Sequence, residues 1–221
     1  DVRFDSEHVS VEVLAGVSDQ AYEAEPEPKQ NRPIASAGSS TFHALWQADA
    51  GGAVTALVAA GKQVAVGSVT GRVTTMDLSG QTGWVAETGG EVRALHAAEF
   101  GSGCLLAGGR DCALSLFDAG GDLVWRRPFE SSHGRDQIVN AVTVADLGGD
   151  GARRAVVATD GWLVWALRPD GEAAWQRQVE HHAARSLVVG DVDGDGRKEV
   201  LVGTEYYNSN LLEADGRIRW T

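Results

Sequence analysis

Four acidic side chains stand close together near the end of the sequence, in the segment DVDGDGRKE. Asp191, Asp193 and Asp195 take its first, third and fifth positions, Glu199 takes the ninth, and Arg197 offers a backbone carbonyl at the seventh. Oxygen ligands grouped in this way suit calcium, and four carboxylates this close repel one another when no cation is present. The segment therefore predicts a calcium site, with a solvated acidic turn as the alternative.

A similar segment 45 residues earlier provides an internal comparison. There Gly148 replaces Asp193 and Arg154 replaces Glu199, which removes two carboxylates and adds a cation. We expect no metal in this earlier copy. The later copy is not an EF-hand, because its twelfth position is Val202 rather than Glu and both of its flanks alternate like strands.

Residues suited to binding a macromolecule concentrate in four other segments, ESSHGRDQIVN, TDGWLVW, VEHHAARS and TEYYNSN. Aromatic rings with amide and guanidinium donors fit sugar rings or peptides, although exposed loops are polar in any case. No common nucleophile, zinc-protease or phosphate-loop motif occurs. The predicted ligand-binding residues are His133, Arg135, Trp162, His181, His182, Tyr206, Tyr207 and Asn208.

The elements that must position these residues are repeated units that end in tryptophan. The segments DLSGQTGW, DAGGDLVW, RPDGEAAW and EADGRIRW end at Trp84, Trp125, Trp175 and Trp220, and the shorter FHALW ends at Trp46. The intervals of 38, 41, 50 and 45 residues match the length of one four-stranded propeller blade. Short apolar segments between glycine-containing turns predict four antiparallel strands in each unit.

The repeats predict an all-β fold, a β-propeller of four-stranded antiparallel blades with at least four blades in this chain. We place the propeller at residues 42–221, with blades at about 47–84, 85–125, 126–175 and 176–220. Residues 1–41 are predicted to form a strand, within HVSVEVLAG, and an acidic, proline-containing arm. Two alternatives stay open: the four blades close alone, or they form part of a larger ring completed by a second copy, another subunit or further residues.

The tryptophan-ended units resemble the tryptophan-docking repeats of PQQ-like propellers, and the acidic segment resembles FG-GAP, or VCBS, repeats. The resemblance implies that the tryptophans wedge between blades. It also implies that the acidic loop joins the first two strands of its blade and holds a structural calcium ion. Because propeller strands run up and down, the four binding segments are expected on the face opposite that loop.

Composition excludes several function classes. A net charge of −12 repels phosphate backbones, so nucleic acid is not an expected partner. No apolar run reaches the roughly 18 to 20 residues that a membrane helix needs. Cys104 and Cys112 are predicted to be buried and unpaired, because a tight hairpin would place Cys112 opposite Ala107. A chain that begins at Asp1 suits an exported protein, so an extracellular or periplasmic location is expected.

These features predict a non-catalytic binding or scaffold module that recognises a protein or a polysaccharide through its loops, with one structural calcium ion. Two alternatives come from other classes. One is the propeller portion of an enzyme, such as a calcium-dependent polysaccharide lyase or a quinoprotein-like dehydrogenase. The other is a purely architectural subunit of a larger assembly.

Overall fold

The computed structural model describes residues 10–14 and 44–221. Within those ranges the chain forms eighteen strands and no helix, and therefore no helix that could cross a membrane. The strands before the blades are β1 (Ser10–Leu14) and β2 (Ala44–Asp49), which pair antiparallel. β1 lies inside the alternating segment of the predicted arm, and the remainder of the arm lies outside the described residues.

Sixteen strands form four antiparallel four-stranded sheets, each a meander from the innermost to the outermost strand. The first two blades consist of β3 (Val54–Ala60), β4 (Gln63–Ser68), β5 (Arg72–Asp77) and β6 (Thr82–Glu87), then β7 (Val92–Phe100), β8 (Gly103–Gly109), β9 (Ala113–Phe117) and β10 (Leu123–Pro128). The last two consist of β11 (Val139–Asp146), β12 (Arg153–Thr159), β13 (Leu163–Leu167) and β14 (Ala173–Gln178), then β15 (Ala184–Gly190), β16 (Glu199–Thr204), β17 (Ser209–Leu212) and β18 (Ile218–Trp220). The predicted all-β propeller of four-stranded blades is confirmed.

The blades pack against one another in chain order. The innermost strands pack in succession, β3 on β7, β7 on β11 and β11 on β15. No comparable packing joins β15 to β3 in the described part of the chain. The first and fourth blades therefore do not meet as the other neighbours do.

The core lies between blades rather than inside them. Three clusters of buried apolar side chains each join two neighbouring blades; one packs Leu114 of the second blade with Val157 of the third. A middle strand such as β9 is buried along its whole length, whereas the outermost strand β10 alternates between exposed and partly buried residues. A strand covered on both faces needs a continuous apolar run, and this explains why the middle strands are so rich in Val, Leu and Ala.

The repeat tryptophans connect each blade to the next, as the resemblance implied. Trp175, on β14, covers Gly216 in the last turn of the fourth blade, and its Nε1 donates a hydrogen bond to the Ala214 carbonyl at 3.0 Å. The contact is so close that a Cβ on Gly216 would lie 2.7 Å from the indole Cδ2. The equivalent pairs are Trp84 with Gly121, Trp125 with Gly171, and Trp46 of β2 with Gly80.

The cysteines are unpaired, as predicted, but their surroundings differ from the prediction. Both Cys104 and Cys112 are partly exposed rather than buried. Cys112 lies in the turn between β8 and β9, and Ala107 faces Ser115 instead. The prediction assumed a shorter turn; the three-residue turn has Cys112 at its end, with a φ of 53°. Burial raises the pKa of both thiols, which disfavours their reactive thiolate form.

Candidate functional site: the loop face and the acidic loop

The predicted binding residues lie in four loops of the third and fourth blades, at residues 129–138, 160–162, 179–183 and 205–208. We call these loops the loop face. Two of them join successive blades, and the other two connect the second and third strands of a blade. Each loop follows a strand that is held in a packed sheet, so the rigid sheets fix the positions of the loop ends.

Trp162 is the centre of the larger group on the loop face. His133 stacks on its ring, with centroids 5.4 Å apart and planes at 24°, and His181 meets it edge-on at 5.2 Å. The guanidinium carbon of Arg135 lies 5.0 Å from the ring centroid, within cation–π distance. The structure thus brings together four of the eight predicted binding residues, from three different loops.

The backbone at Trp162 is strained. Its φ is 68°, a region that bulky residues rarely adopt, and the same position of the first blade's turn holds Gly71. Its Nε1 is buried and has no hydrogen-bond partner in the described structure. Four non-glycine residues with positive φ occur in the described ranges, and His133, Trp162 and Glu180 among them belong to the loop face, with the fourth, Cys112, in the equivalent turn of the second blade. Strain of this kind concentrates at functional sites.

The remaining predicted residues form a smaller group on the fourth blade. His182 and Tyr206 lie with their ring centroids 4.7 Å apart. The side-chain amide of Asn208 donates a hydrogen bond to the Glu180 carboxylate. Tyr207 is 99% exposed, so its whole ring is available to a partner.

A polar network that the sequence analysis did not identify supports both groups. The Asp160 carboxylate accepts hydrogen bonds from Asn140 and from Arg185, both at 2.6 Å. Arg185 also contacts Glu205 at 2.8 Å, and this hydrogen bond lowers the pKa of the Glu205 carboxyl. Asp160 belongs to the turn of Trp162 and Glu205 precedes Tyr206, so one arginine ties the two groups together.

Asn140 and Arg185, the two hydrogen-bond donors of this network, lie at a repeated β-bulge. The second residue of each innermost strand falls out of register with its neighbour, and a bulge of this kind redirects a side chain. The four bulge residues are Thr55, Arg93, Asn140 and Arg185. Asn140 uses its new direction to donate a hydrogen bond to the Ala184 carbonyl of the next blade at 2.9 Å.

The acidic loop connects β15 and β16. Asp191 accepts hydrogen bonds from the backbone N–H groups three and five residues later, at 2.7 and 2.9 Å. In the earlier copy of the loop, Asp146 makes the same two contacts at 2.9 and 2.8 Å. Asp195 and its counterpart Asp150 also each accept a hydrogen bond from the backbone N–H two residues later. The aspartates that both copies share therefore account for the common loop shape, and Asp193 and Glu199, which the earlier copy lacks, require another explanation.

The structure groups three of the five predicted calcium ligands. Asp191, Asp193 and Asp195 each offer a carboxylate oxygen within 4.8 Å of the others, and all three are exposed. Oxygen donors of this kind fit a hard cation. Glu199 is not in this group: it is 1% exposed, and its carboxylate accepts a hydrogen bond from the Val192 backbone at 3.0 Å.

Arg219 gives a second explanation for the two additional carboxylates. Its Nη2 lies 2.8 Å from Asp193 and 3.5 Å from Glu199. The equivalent position of the third blade holds Ala174, where the loop also lacks both acids. Hydrogen bonds from Arg219 lower the pKa of the Asp193 carboxyl, so the guanidinium already neutralises part of the local charge. A cation bound by the aspartates would share Asp193 with Arg219.

Comparison with known proteins supports the fold and one repeat. Residues 183–218, which run from the loop before β15 to β18, match the family model of the FG-GAP repeat. No curated protein matches the chain in sequence. Among solved structures, BamB from Moraxella catarrhalis superposes with a TM-score of 0.61 and 16% identity, over 81% of this chain and 55% of that one.

Two computationally designed proteins are also similar in structure. Ika4 gives a TM-score of 0.56 at 18% identity over 74% of this chain and 92% of its own, and Ika8 gives 0.56 at 17% over 81% and 49%. The chain thus spans about half the length of BamB and of Ika8. Identities this low establish the fold alone. Together with the repeats and the four sheets, they identify the chain as a β-propeller repeat protein whose fourth blade matches the FG-GAP repeat.

Proposed function

We propose that this protein is a non-catalytic binding module that holds a partner protein on the loop face of its third and fourth blades. The observation that carries the proposal is the strained Trp162, surrounded by His133, His181 and Arg135 on a rigid scaffold. Trp, Tyr and Arg are the residues most enriched among interface positions that dominate binding energy. Strands packed between blades hold the ends of these loops, which lowers the entropic cost of binding.

A protein partner fits this face better than a polysaccharide does. Sugar rings stack on open aromatic faces, but the ring of Trp162 already has His133 stacked on it and Arg135 near its centroid. The side chains that project furthest are Tyr206, 61% exposed, and Tyr207, 99% exposed. Their rings with polar tips suit the mixed apolar and hydrogen-bonding surface of a protein.

The test is a selection of peptides from a displayed random library on the intact protein, with a glycan array in parallel. We expect peptides whose affinity falls at least about tenfold for Trp162→Ala and for Tyr206→Ala. Leu123→Ser serves as the control, because Leu123 is 54% exposed on β10, away from the loop face, and should leave affinity unchanged. Peptides that bind all variants equally, or binding to glycans alone, would contradict the proposal.

We further propose that the acidic loop binds one calcium ion through Asp191, Asp193 and Asp195, with Glu199 and the carbonyl of Arg197 as additional ligands. The FG-GAP match and the three grouped carboxylates support this proposal. Sites of extracellular modules bind calcium with dissociation constants of about 0.1 to 1 mM, so 5 mM calcium would stabilise the fold by about 1–2 kcal/mol.

Thermal melting with and without calcium tests the site. The midpoint should rise with calcium in the wild type and should not rise in Asp193→Asn. Asp150→Asn, in the loop copy that lacks two of the acids, is the matched control and should keep the rise. A wild-type midpoint that does not move at millimolar calcium would sink the proposed site.

We also propose that the protein works outside the cytoplasm, in an extracellular or periplasmic compartment. Weak calcium sites are filled where calcium is millimolar, and the FG-GAP match supports the same location. Fractionation of the cells that express the natural gene, followed by immunodetection, tests the location. Recovery in the cytoplasmic fraction alone would contradict it.

A further inference from the structure

The outer side of the fourth blade has residues equivalent to those that couple the third blade to the fourth, but they are largely exposed. Leu147 of the third blade is 2% exposed and packs in a cluster with Val200 and Leu212 of the fourth. The equivalent residue of the fourth blade, Val192, is 61% exposed. Trp220 is 48% exposed, and its indole has no hydrogen-bond acceptor among the described residues. Among the described residues, this coupling surface of the fourth blade is therefore left largely uncovered.

The contacts between neighbouring blades inside the molecule, which we call seams, show what kind of surface would cover this side of the fourth blade. Each of Trp46, Trp84, Trp125 and Trp175 packs on a glycine of positive φ, and all but Trp84 donate a hydrogen bond to the carbonyl two residues before that glycine. Each of the four blades has one such turn, and in the described chain each turn already holds a tryptophan. Trp220 is thus left without a turn of its own.

The turn of the first blade is filled in an unusual way. Its tryptophan, Trp46, comes from β2, which pairs with β1 alone and not with a full blade. Trp46 donates to the Leu78 carbonyl at 3.0 Å and covers Gly80 so closely that a Cβ there would lie 2.8 Å from the ring. β2 therefore occupies the place that the outermost strand of a preceding blade would take.

This two-stranded cover leaves the first blade partly exposed. Val64 is only partly buried, whereas the equivalent Val200 of the fourth blade is fully buried by the third. Leu57, on the innermost strand of the first blade, is 43% exposed. A full blade would cover both residues, so the apolar surface of the first blade favours a four-stranded neighbour over β1 and β2.

We propose that Trp220 docks on the first blade of a second copy of this chain, in place of that copy's Trp46, so that two chains pair head to tail. Each copy has one uncovered tryptophan and one receiving turn, and two copies can satisfy both in a closed dimer. The lengths of similar structures agree with this arrangement, since the four blades match only about half of BamB and of Ika8. β1 and β2 then act as a cap that regulates pairing.

Sedimentation velocity of the 221-residue chain over a wide concentration range tests the proposal. We expect a dimer of twice 23.3 kDa at high concentration. Trp220→Ala should weaken dimerisation at least about thirtyfold, because a docked tryptophan is a typical interface hot spot. Trp46→Ala should strengthen it at least about tenfold, because the receiving turn no longer has an internal competitor.

Two controls keep the test decisive. Tyr207→Ala changes an aromatic residue on the loop face that is even more exposed than Trp220, and it should leave dimerisation unchanged. Melting curves verify that each variant is folded. Trp220 is 48% exposed, and its indole has no hydrogen-bond partner in the described ranges, so its removal should not unfold the monomer. The proposal is overturned if both the wild type and Trp46→Ala stay monomeric at every concentration, or if Trp220→Ala associates as the wild type does.

Discussion

Replacing Gly216 by Ala tests directly whether the tryptophan contacts hold neighbouring blades together. Gly216 has a φ of +82°, which costs an alanine about 1–2 kcal/mol. The new Cβ would lie 2.7 Å from Cδ2 and 2.8 Å from Cε3 of Trp175, so the indole must move. Moving it breaks the Nε1 hydrogen bond to Ala214, worth about 1 kcal/mol, and opens part of a contact whose full truncation costs about 3–5 kcal/mol. The sum is about 3–5 kcal/mol.

Gly151→Ala separates the backbone cost from the lost contact. Gly151 has nearly the same φ, +83°, but no atom lies within 4 Å of its added Cβ. This variant should lose the backbone cost of about 1–2 kcal/mol and nothing more. Thermal unfolding followed by tryptophan fluorescence measures both, and each kcal/mol lowers the midpoint by about 2–4 °C in a chain of this size. Equal losses in the two variants would refute the reasoning, because the seam between blades would then not depend on Trp175.

Three further predictions concern the loops. The Arg185 contact lowers the pKa of the Glu205 carboxyl below its usual 4.5. The pair therefore stabilises the fold above pH 4.5, and this stabilisation is lost as the pH falls through the lowered pKa. Melting curves of Arg185→Gln should show a smaller loss of stability on acidification than those of the wild type. Trp162→Gly removes about 1–2 kcal/mol of backbone strain, so the melting midpoint of this variant should stay the same or rise. Binding of the selected peptides should be lost. A large fall in the midpoint would show instead that the indole stabilises the fold. Arg219→Gln removes the guanidinium beside Asp193, so calorimetry should find that this variant binds calcium about tenfold more tightly than the wild type does. An unchanged affinity would argue against the sharing of the Asp193 carboxylate between Arg219 and calcium.

The architecture was predictable because each unit repeats its most informative residues at fixed places. A glycine stands four residues before each of Trp84, Trp125, Trp175 and Trp220. In the structure the last three of these glycines receive the tryptophan of the preceding blade, and the first receives Trp46 of β2. The gapless alignment of the last two units also located the acidic loop. The meeting of the four loops of the loop face followed from the alternating direction of propeller strands, without any knowledge of individual contacts.

The supporting residues of the site were harder to find because their roles depend on register and on distant neighbours. The bulge residues lie in VTALV, VRALH, VNAVT and ARSLV, where a polar residue is second in an apolar strand. That recurrence was a usable signal, but it says nothing about the partners Asp160 and Glu205. Arg219 lies 26 residues after Asp193 in the sequence, and their contact depends on the pairing of four strands. Trp46 was visible as a shorter echo, yet its competition with Trp220 follows only from the arrangement of the turns.

The closeness of glycine and tryptophan along the chain has a consequence for how such molecules grow. The two residues that form a seam come from different blades, but every unit encodes one of each within four positions. A gene segment copied in tandem would therefore encode both the glycine turn that receives the tryptophan of the unit before it and the tryptophan that packs on the turn of the unit after it. Adding or removing whole repeats therefore requires no new interface between blades. The number of repeats can change in evolution faster than the sequence of a single repeat.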